Sequence, residues 1–227
     1  MNMQPSAPPL VVDVCGTLVH DDTTLGLLRF HFARNSVRKW RSLVLSATTT
    51  RRSPLWILVA VAERLTGTHI LKHILVRLLA GDTLQSLQDS ADRYAELLLR
   101  ERKVDAVWQV LENESEGRRL VLASASLSPV VAALARSMKA DYVSSELEVR
   151  DGRLTGKYRK DVTGSKAAAI ADALGATLLA NGYVAISDNF TDRDLLAGAE
   201  RAYVVLRQPA HRERWVGLAA TFLEAGA

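Results

Sequence analysis

The stretch Pro9-Leu-Val-Val-Asp13-Val-Cys15-Gly-Thr-Leu18 decides the fold. It begins with a short, uncharged, valine-containing run, which is typical of a buried β-strand. The glycine and threonine that follow break this pattern, so the carboxylate of Asp13 is expected where the strand ends. Ligands bind at the carboxyl ends of the strands in a parallel sheet, which makes Asp13 a candidate site residue.

Two later stretches repeat this design. One apolar run leads into Ser124, and another leads to Asp188. Lys166 lies at the start of a predicted helix, and Asp192 follows Asp188 by about one helical turn. In a parallel sheet these groups gather at one edge. Carboxylates, a hydroxyl and an ammonium at one place suit a phosphate and a hard divalent cation, and oxygen ligands favour Mg²⁺.

The segment between the first strand and the later part of the chain, residues 23–105, shows only helical periodicity. Beyond it, predicted helices and strands alternate, which favours a parallel sheet with crossover helices. We therefore predict an α/β fold. Its core domain comprises residues 1–22 and 106–227, and an all-helical domain of residues 23–105 is inserted after the first strand.

Local signals define several expected elements. The Asp151-Gly152 pair between alternating segments predicts a two-residue hairpin turn. Residues 46–54, rich in Ser, Thr and Arg, are predicted to form a loop, and a helix is predicted over 191–199. Residues 202–206 are predicted to be the last strand, and residues 1–8 are expected to be a leader without regular structure.

Taken in chain order, these features resemble the haloacid dehalogenase-like (HAD) hydrolase superfamily, in particular its phosphoserine-phosphatase-like branch with a helical cap. That family has an Asp-x-Asp-Gly-Thr motif, a strand that ends in Ser or Thr, a lysine, and a pair of Asp residues. The matching residues here are Asp13, Gly16, Thr17, Ser124, Lys166, Asp188 and Asp192. The resemblance implies a Rossmann-like parallel-sheet core with residues 23–105 as its cap.

The resemblance also implies a Mg²⁺-dependent phosphomonoester phosphatase that acts on an unidentified small or lipid-linked phosphate. Asp13 would be the nucleophile that forms an aspartyl-phosphate, and Lys166 would offset charge on the phosphoryl group. The implied catalytic positions are Asp13, Cys15 and Lys166. Phosphate or substrate contacts are implied for Ser124, Ala125, Lys166, Asp22 and Thr17. Implied metal ligands are Asp13, Asp188 and the backbone carbonyl of Cys15, with Asp192 a further ligand or an anchor behind the ligands.

Some of these residues have simpler interpretations. Ser124 would cap the helix that follows it, and Asp192 is a favourable residue for the first turn of a helix. Lys157 and Lys160 lie near enough in sequence to be confused with Lys166.

Cys15 departs from the family pattern, which has a second Asp at this position. That Asp protonates the leaving alcohol and then activates water, and a thiol with an ordinary pKa of about 8.5 is a poor replacement. Three outcomes stay open: a phosphatase that is slow or uses another acid, an enzyme whose leaving group needs no proton, or a phosphate-binding protein without turnover. Phosphate binding is therefore a firmer prediction than phosphate hydrolysis.

Composition narrows the cellular context. The chain has 227 residues, a net charge of +4 and one cysteine, so it has no internal disulfide. The start of the sequence lacks the basic and apolar parts of a secretory signal, and a cytoplasmic protein is expected. Aromatic residues make up 6% of the chain, with no recognition motif, and no nucleic-acid partner is expected. The oligomeric state is left open.

The basic charge concentrates in the predicted insertion, which has no Asp or Glu between Asp22 and Glu63. Its basic residues there are Arg29, Arg34, Arg38, Lys39, Arg41, Arg51 and Arg52. Such a stretch suits peripheral contact with an anionic membrane. The preferred alternative is that its apolar residues pack the core of the insertion. His69 and His73 have the spacing of a metal pair, but a solvated helix face is preferred.

Overall fold

The computed structural model describes residues 7–34, 39–50, 53–66 and 70–226. Residues 1–6 of the predicted leader, together with Arg38, Arg51, Arg52 and His69, lie outside the described residues. The strands are β1 (Ala7–Val12), β2 (Arg118–Leu127), β3 (Asp141–Arg150), β4 (Arg153–Lys160), β5 (Val184–Ser187), β6 (Arg201–Leu206) and β7 (Thr221–Glu224). The helices are α1 (Thr23–Arg34), α2 (Lys39–Thr49), α3 (Pro54–Thr66), α4 (Ile70–Arg77), α5 (Leu84–Glu101), α6 (Asp105–Glu114), α7 (Ser128–Met138), α8 (Lys166–Leu174), α9 (Thr177–Ala180) and α10 (Arg193–Ala197).

The strands form one sheet in the order β4-β3-β2-β1-β5-β6-β7. All neighbours are parallel except β3 and β4, which are antiparallel. In the central strand, Val12 lies in register with Leu122 of β2 and with Ile186 of β5. The residues that follow these three positions therefore meet at one edge of the sheet, as the sequence predicts.

The two faces of the sheet are both covered. Leu10 and Val12 of β1 join an apolar core that includes residues of α1, α5, α6 and α7. Val11, which points to the opposite face, joins a second core with residues of α8 and α10. This alternation explains why β1 is apolar at consecutive positions, because a strand buried on both faces needs apolar residues on each. The predicted α/β parallel-sheet fold is confirmed.

Five helices, α1–α5, lie between β1 and α6, and we call them the helical insertion (Thr23–Glu101). Helices α1 and α5 pack together, and α5 also packs on α7 beside the sheet. The hydroxyl of Thr83 accepts the backbone N–H of Ser86 at 3.2 Å and so caps the start of α5. The domain boundary at residue 105 stays a prediction.

The predicted hairpin turn is confirmed. Asp151 and Gly152 have φ values of +49° and +72°, which the mirror-image turn of a two-residue hairpin requires. Arg150 and Arg153 are the pair that flanks it.

Other predicted bounds are wrong. The predicted loop over 46–54 is helical to Thr49, because the hydroxyls of Thr48 and Thr49 donate to the carbonyl of Leu45 at 3.1 and 2.7 Å and so are satisfied within α2. The strand β6 is not the last, since β7 pairs with it in parallel. The predicted helix over 191–199 is a 3₁₀ turn, Phe190–Asp192, followed by the short α10.

The outer helices of the insertion are not fully packed. Seven large apolar side chains there are exposed, namely Trp40, Leu43, Leu55, Ile57, Leu58, Val61 and Leu65. The expectation that the apolar residues of this stretch pack internally is therefore wrong for these seven. Within the described residues, no helix combines the length and the apolar character needed to cross a membrane.

Arg41 belongs to the basic stretch, but it is buried. Its Nη1 donates to Oδ2 of Asp82 at 2.5 Å, and its Nη2 donates to the carbonyl of Ala80 at 2.6 Å. His31 Nε2 lies 3.4 Å from the same carboxylate oxygen. This ion pair ties α2 to the start of α5.

Removal of Arg41 is expected to destabilise the protein, because Asp82 would lose its main charged partner. We expect Arg41→Met to lower the free energy of unfolding by about 2 kcal/mol in urea denaturation at neutral pH. Arg93→Met, at an exposed position on α5, is the control and is expected to change it by less than about 0.5 kcal/mol.

This destabilisation should depend on pH. Burial raises the pKa of Asp82, but hydrogen bonds from His31 and Arg41 outweigh it and hold the pKa below its usual value. The stabilisation is therefore complete above about pH 4 and is lost as the pH falls through the lowered pKa. Equal destabilisation by both arginine variants, or a difference that grows on acidification, would contradict this interpretation.

Candidate active site

Asp13 lies directly after β1, and its carboxylate is held in one orientation. Its backbone N–H donates to the carbonyl of Ile186 at 2.9 Å, which extends the pairing with β5 by one residue. Its Oδ1 accepts the backbone N–H of Val14 at 2.7 Å and lies 2.8 Å from Nζ of Lys166. The end of the strand thus fixes the backbone, and α8 supplies the cation.

Lys166 is the first residue of α8, and its side chain is 4% exposed. Its Nζ bridges Oδ1 of Asp13 and Oδ2 of Asp192, the latter at 2.6 Å. Burial lowers the pKa of Lys166, but the two carboxylates outweigh it and raise the pKa above its usual value. The side chain is therefore an ammonium. Lys157 is exposed and Lys160 pairs with Asp172, so Lys166 is the lysine that reaches Asp13.

The carboxylate of Asp13 is costly to ionise. Burial raises its pKa to about 6, and the charges of Asp192 and Asp188 add to this effect, while Lys166 opposes it. The hydroxyl of Ser187 donates to Oδ2 of Asp192 at 2.6 Å, so this carboxylate oxygen has a second hydrogen-bond donor besides Lys166. Asp13 and Asp192 share one buried ammonium, and an additional cation at this edge would relieve the repulsion among the three carboxylates.

Asp188 has two partners that fix its position. The hydroxyl of Thr17 donates to its Oδ1 at 3.0 Å and accepts its backbone N–H at 2.9 Å. Nε of Arg207 donates to its Oδ2 at 2.6 Å. Thr17 is fully buried, and its hydroxyl holds Asp188 through both of these hydrogen bonds. Its predicted contact with phosphate stays a prediction.

Arg207 is a site residue that was not predicted from the sequence. It follows β6, so it repeats the design of an apolar strand that ends in a polar side chain, and that signal was available. Its guanidinium covers Gly16, whose φ is +70°, and a Cβ atom there would lie 1.8 Å from Nη2. The positive φ favours glycine at this position, and a side chain there would also displace the guanidinium of Arg207.

Cys15 is partly buried within a cluster of hydroxyl groups. Its Sγ lies 2.8 Å from Oγ of Ser126 and 2.9 Å from Oγ1 of Thr23, and these two oxygens are 2.6 Å apart. Burial raises the pKa of Cys15, and the charges of Asp13 and Asp22 raise it further. Cys15 is therefore a neutral thiol near pH 7, which makes it a weak acid and excludes it as a base.

A cavity of about 430 Å³ opens beside these groups. Six of the predicted site residues line it together: Asp13, Cys15, Asp22, Ser124, Ala125 and Lys166. Arg207 also lines it, as do Glu63, Leu71, Lys72 and Leu75 of the helical insertion, none of which was predicted from the sequence. Asp188 lines a neighbouring cavity of about 510 Å³ that shares Cys15, Asn189 and Arg207.

Ser124 and Asp22 are both fixed by local hydrogen bonds, and Ser124 does not lie at the end of its strand. β2 continues past Ser124 to Leu127, with an irregularity in its pairing between these residues, so Ser124 lies inside the strand rather than at its end. Its Oγ accepts the backbone N–H of Ser126 at 3.2 Å. Asp22 caps α1, since its Oδ1 accepts the N–H groups of Thr24 and Leu25 at 3.1 and 3.0 Å.

The residues at this edge have the right chemistry for Mg²⁺, because carboxylates and a backbone carbonyl are the oxygen ligands that it prefers. Asp13 and Asp188 are near enough for each charge to act on the other. However, Asp188 is paired with Arg207, and no three His, Cys, Asp or Glu side chains among the described residues converge on one metal position. The structure therefore pairs Asp188, one of the predicted metal ligands, with the guanidinium of Arg207.

Comparisons with known proteins identify the family and the fold. The family model of the haloacid dehalogenase-like hydrolases matches residues 10–197. No functionally curated protein matches the chain in sequence. A protein of unknown function from Bordetella pertussis Tohama I has the same fold, with a TM-score of 0.71 and 18% identity over 98% of this chain and 100% of that one.

Two solved structures of characterised enzymes also share the fold. A phosphoserine phosphatase structure, described as a phospho-aspartyl intermediate analogue, has a TM-score of 0.55 and 17% identity over 96% of this chain and 94% of that one. A cytosolic 5'-nucleotidase IIIB bound to cytidine has a TM-score of 0.58 and 14% identity over 97% and 82% of the two chains. Since the family model covers most of the chain and spans Asp13, Ser124, Lys166 and Asp188, the chain belongs to the haloacid dehalogenase-like hydrolase family.

Proposed function

We propose that the chain is a Mg²⁺-dependent phosphomonoester phosphatase in which Asp13 is the nucleophile. The observation that carries this proposal is the buried Asp13–Lys166–Asp192 cluster at the edge of a cavity wide enough for a small phosphorylated substrate. Membership of the hydrolase family supports it. The free cysteine fits action in the cytoplasm, and the substrate is a phosphorylated small molecule or lipid-linked phosphate.

The chemistry follows from the placed groups. Oδ1 of Asp13 is occupied by Val14 and Lys166, which leaves Oδ2, with one long contact of 3.4 Å to Ser187, as the attacking oxygen. Attack on phosphorus forms an aspartyl-phosphate and breaks the bond to the leaving alcohol. Lys166 and Ser124 face the phosphoryl oxygens. Bound Mg²⁺ would neutralise phosphate charge, with Asp13, Asp188 and the carbonyl of Cys15 as its ligands and Asp192 as an anchor.

Proton transfer is the weak part of this site. The leaving alkoxide must gain a proton, and water that attacks the aspartyl-phosphate must lose one to a base. Cys15, with its raised pKa, is a poor donor and is not ionised to act as a base. This observation favours a second candidate function, a phosphate-binding protein that turns over slowly or not at all.

The phosphatase proposal predicts that the purified chain releases phosphate from members of a phosphomonoester panel that includes phosphoserine. Release should require Mg²⁺, should stop when a chelator is added, and should fall to the blank level in Asp13→Asn because the nucleophile is lost. A colorimetric phosphate assay measures it. Asp172→Asn, with an exposed side chain, is the control. Equal release by Asp13→Asn overturns the proposal, and phosphate binding without release supports the second candidate.

A separate prediction concerns Cys15→Asp. Its carboxylate would find two hydroxyl groups, those of Ser126 and Thr23, in place to donate to it. We expect kcat to rise by about a hundredfold, because a positioned acid–base group contributes at least that factor. Cys15→Asn is the matched control, since it has the same shape without a titrating proton. If the two variants have equal kcat, proton transfer at this position does not limit the rate.

Arg207 is predicted to compete with Mg²⁺ for Asp188. The side chain of Arg207 is 57% exposed, so its ion pair contributes at most about 1 kcal/mol. We expect Arg207→Ala to tighten Mg²⁺ binding by up to about fivefold in calorimetric titrations without substrate. Arg214→Ala, which removes a charge from the wall of the neighbouring cavity, is the control. Equal tightening in both variants would indicate general charge repulsion instead of competition.

A further inference from the structure

The helical insertion presents one concentrated apolar surface. Seven of the eleven exposed large apolar side chains among the described residues lie on α2 and α3. We call six of them the apolar face: Trp40, Leu43, Ile57, Leu58, Val61 and Leu65. Leu43, Leu58 and Leu65 are 70%, 65% and 81% exposed. Single apolar residues are normal on a surface, but this concentration on two helices that contact each other is typical of a docking surface.

Helix α3 shows that this exposure is not accidental. Positions 54–62 read Pro-Leu-Trp-Ile-Leu-Val-Ala-Val-Ala, without one polar side chain. Val59 is the residue of this run that the structure buries, while Ile57, Leu58 and Val61 stay exposed. A helix that packs on one side needs apolar residues on one side only, so packing does not account for the apolar residues of the outer side.

Basic residues predominate beside the apolar face, and the one acidic residue within its span of sequence, Glu63, lines the cavity. No Asp or Glu occurs from residue 23 to residue 62. Arg29, Arg34 and Arg64 are exposed on α1 and α3, and Arg29 donates to Thr49 of α2 at 3.3 Å. The sequence that connects α2 to α3 contains Arg51-Arg52. A surface that is both apolar and basic matches a bilayer with anionic headgroups, which offers hydrocarbon and negative charge together.

We propose that the apolar face docks on an anionic membrane, with the side chains of α2 and α3 inserted among the headgroups and the arginines on lipid phosphates. A second copy of this chain fits less well, because a symmetric contact would place the same basic residues against each other. Trp40, exposed at the start of α2, is the residue type that favours the boundary between water and lipid. This inference does not depend on the phosphatase proposal.

Helix α3 also connects the docking surface to the cavity. Glu63, on its inner side, lines the cavity and accepts the backbone N–H of Leu71 at 2.8 Å. Leu71 and Leu75 of α4 line the same cavity. Docking through α2 and α3 would therefore hold the cavity close to the lipid headgroups.

Co-sedimentation of the full chain with vesicles tests the proposal. We expect binding to vesicles that contain phosphatidylglycerol, weak binding to pure phosphatidylcholine, and release at high ionic strength. The double variant Leu43→Ser with Leu58→Ser should weaken binding by at least about tenfold, because two leucines no longer enter the lipid. Both positions are exposed, so circular dichroism should show an unchanged fold.

Two matched variants separate the contributions. Val149→Ser with Val216→Ser removes two exposed apolar side chains outside the apolar face and should leave binding unchanged. Arg29→Glu with Arg64→Glu should abolish the preference for anionic vesicles. The proposal is overturned if wild type fails to bind anionic vesicles at low ionic strength, or if both serine pairs bind equally. It is also overturned if sedimentation velocity shows that the wild type is a dimer and that the double variant Leu43→Ser with Leu58→Ser is a monomer.

Discussion

The buried ammonium of Lys166 lies between the carboxylates of Asp13 and Asp192, and the candidate site depends on this contact. Burial of an unpaired charge is prohibitive, so neither carboxylate could remain ionised here alone. The three groups come from the end of β1, the start of α8 and the turn after β5. A shift of β1 by one residue would turn Asp13 to the opposite face of the sheet, away from Lys166. The site therefore forms only when β1 pairs in the correct register.

Cys15 changes the charge balance of this cluster. Asp13 already bears the repulsion of Asp188 and Asp192, which helps to raise its pKa. A carboxylate at position 15 would add a third negative neighbour, whereas the neutral thiol adds none. The same thiol, because its pKa is raised, is a poor group for proton transfer at position 15 near neutral pH. Position 15 thus favours an ionised Asp13 at the expense of proton transfer at that position.

Much of this arrangement could be predicted from the sequence, because strand ends in a parallel sheet are marked by a change from apolar to polar residues. That rule finds Asp13, Ser124 and Asp188, and it applies equally to Arg207. Arg207 was missed because a lone arginine after a strand is usually an ordinary solvated surface residue. The role of Thr17 could not be predicted, since its two hydrogen bonds to Asp188 cross 171 positions of the chain. The strand β7 has four residues, too few for a clear periodic signal.

In the helical insertion, composition does not determine which residues are buried. Apolar helices with interleaved arginines are compatible with a packed bundle and with a docking surface, and periodicity does not separate the two. Arg41 and Arg29 carry the same charge in one stretch, yet Arg41 is buried on Asp82 and Arg29 is exposed. Only the packing decides which residues remain available. Because α3 turns Leu58 outward and Glu63 toward the cavity, the same helix can contact lipid and border the site.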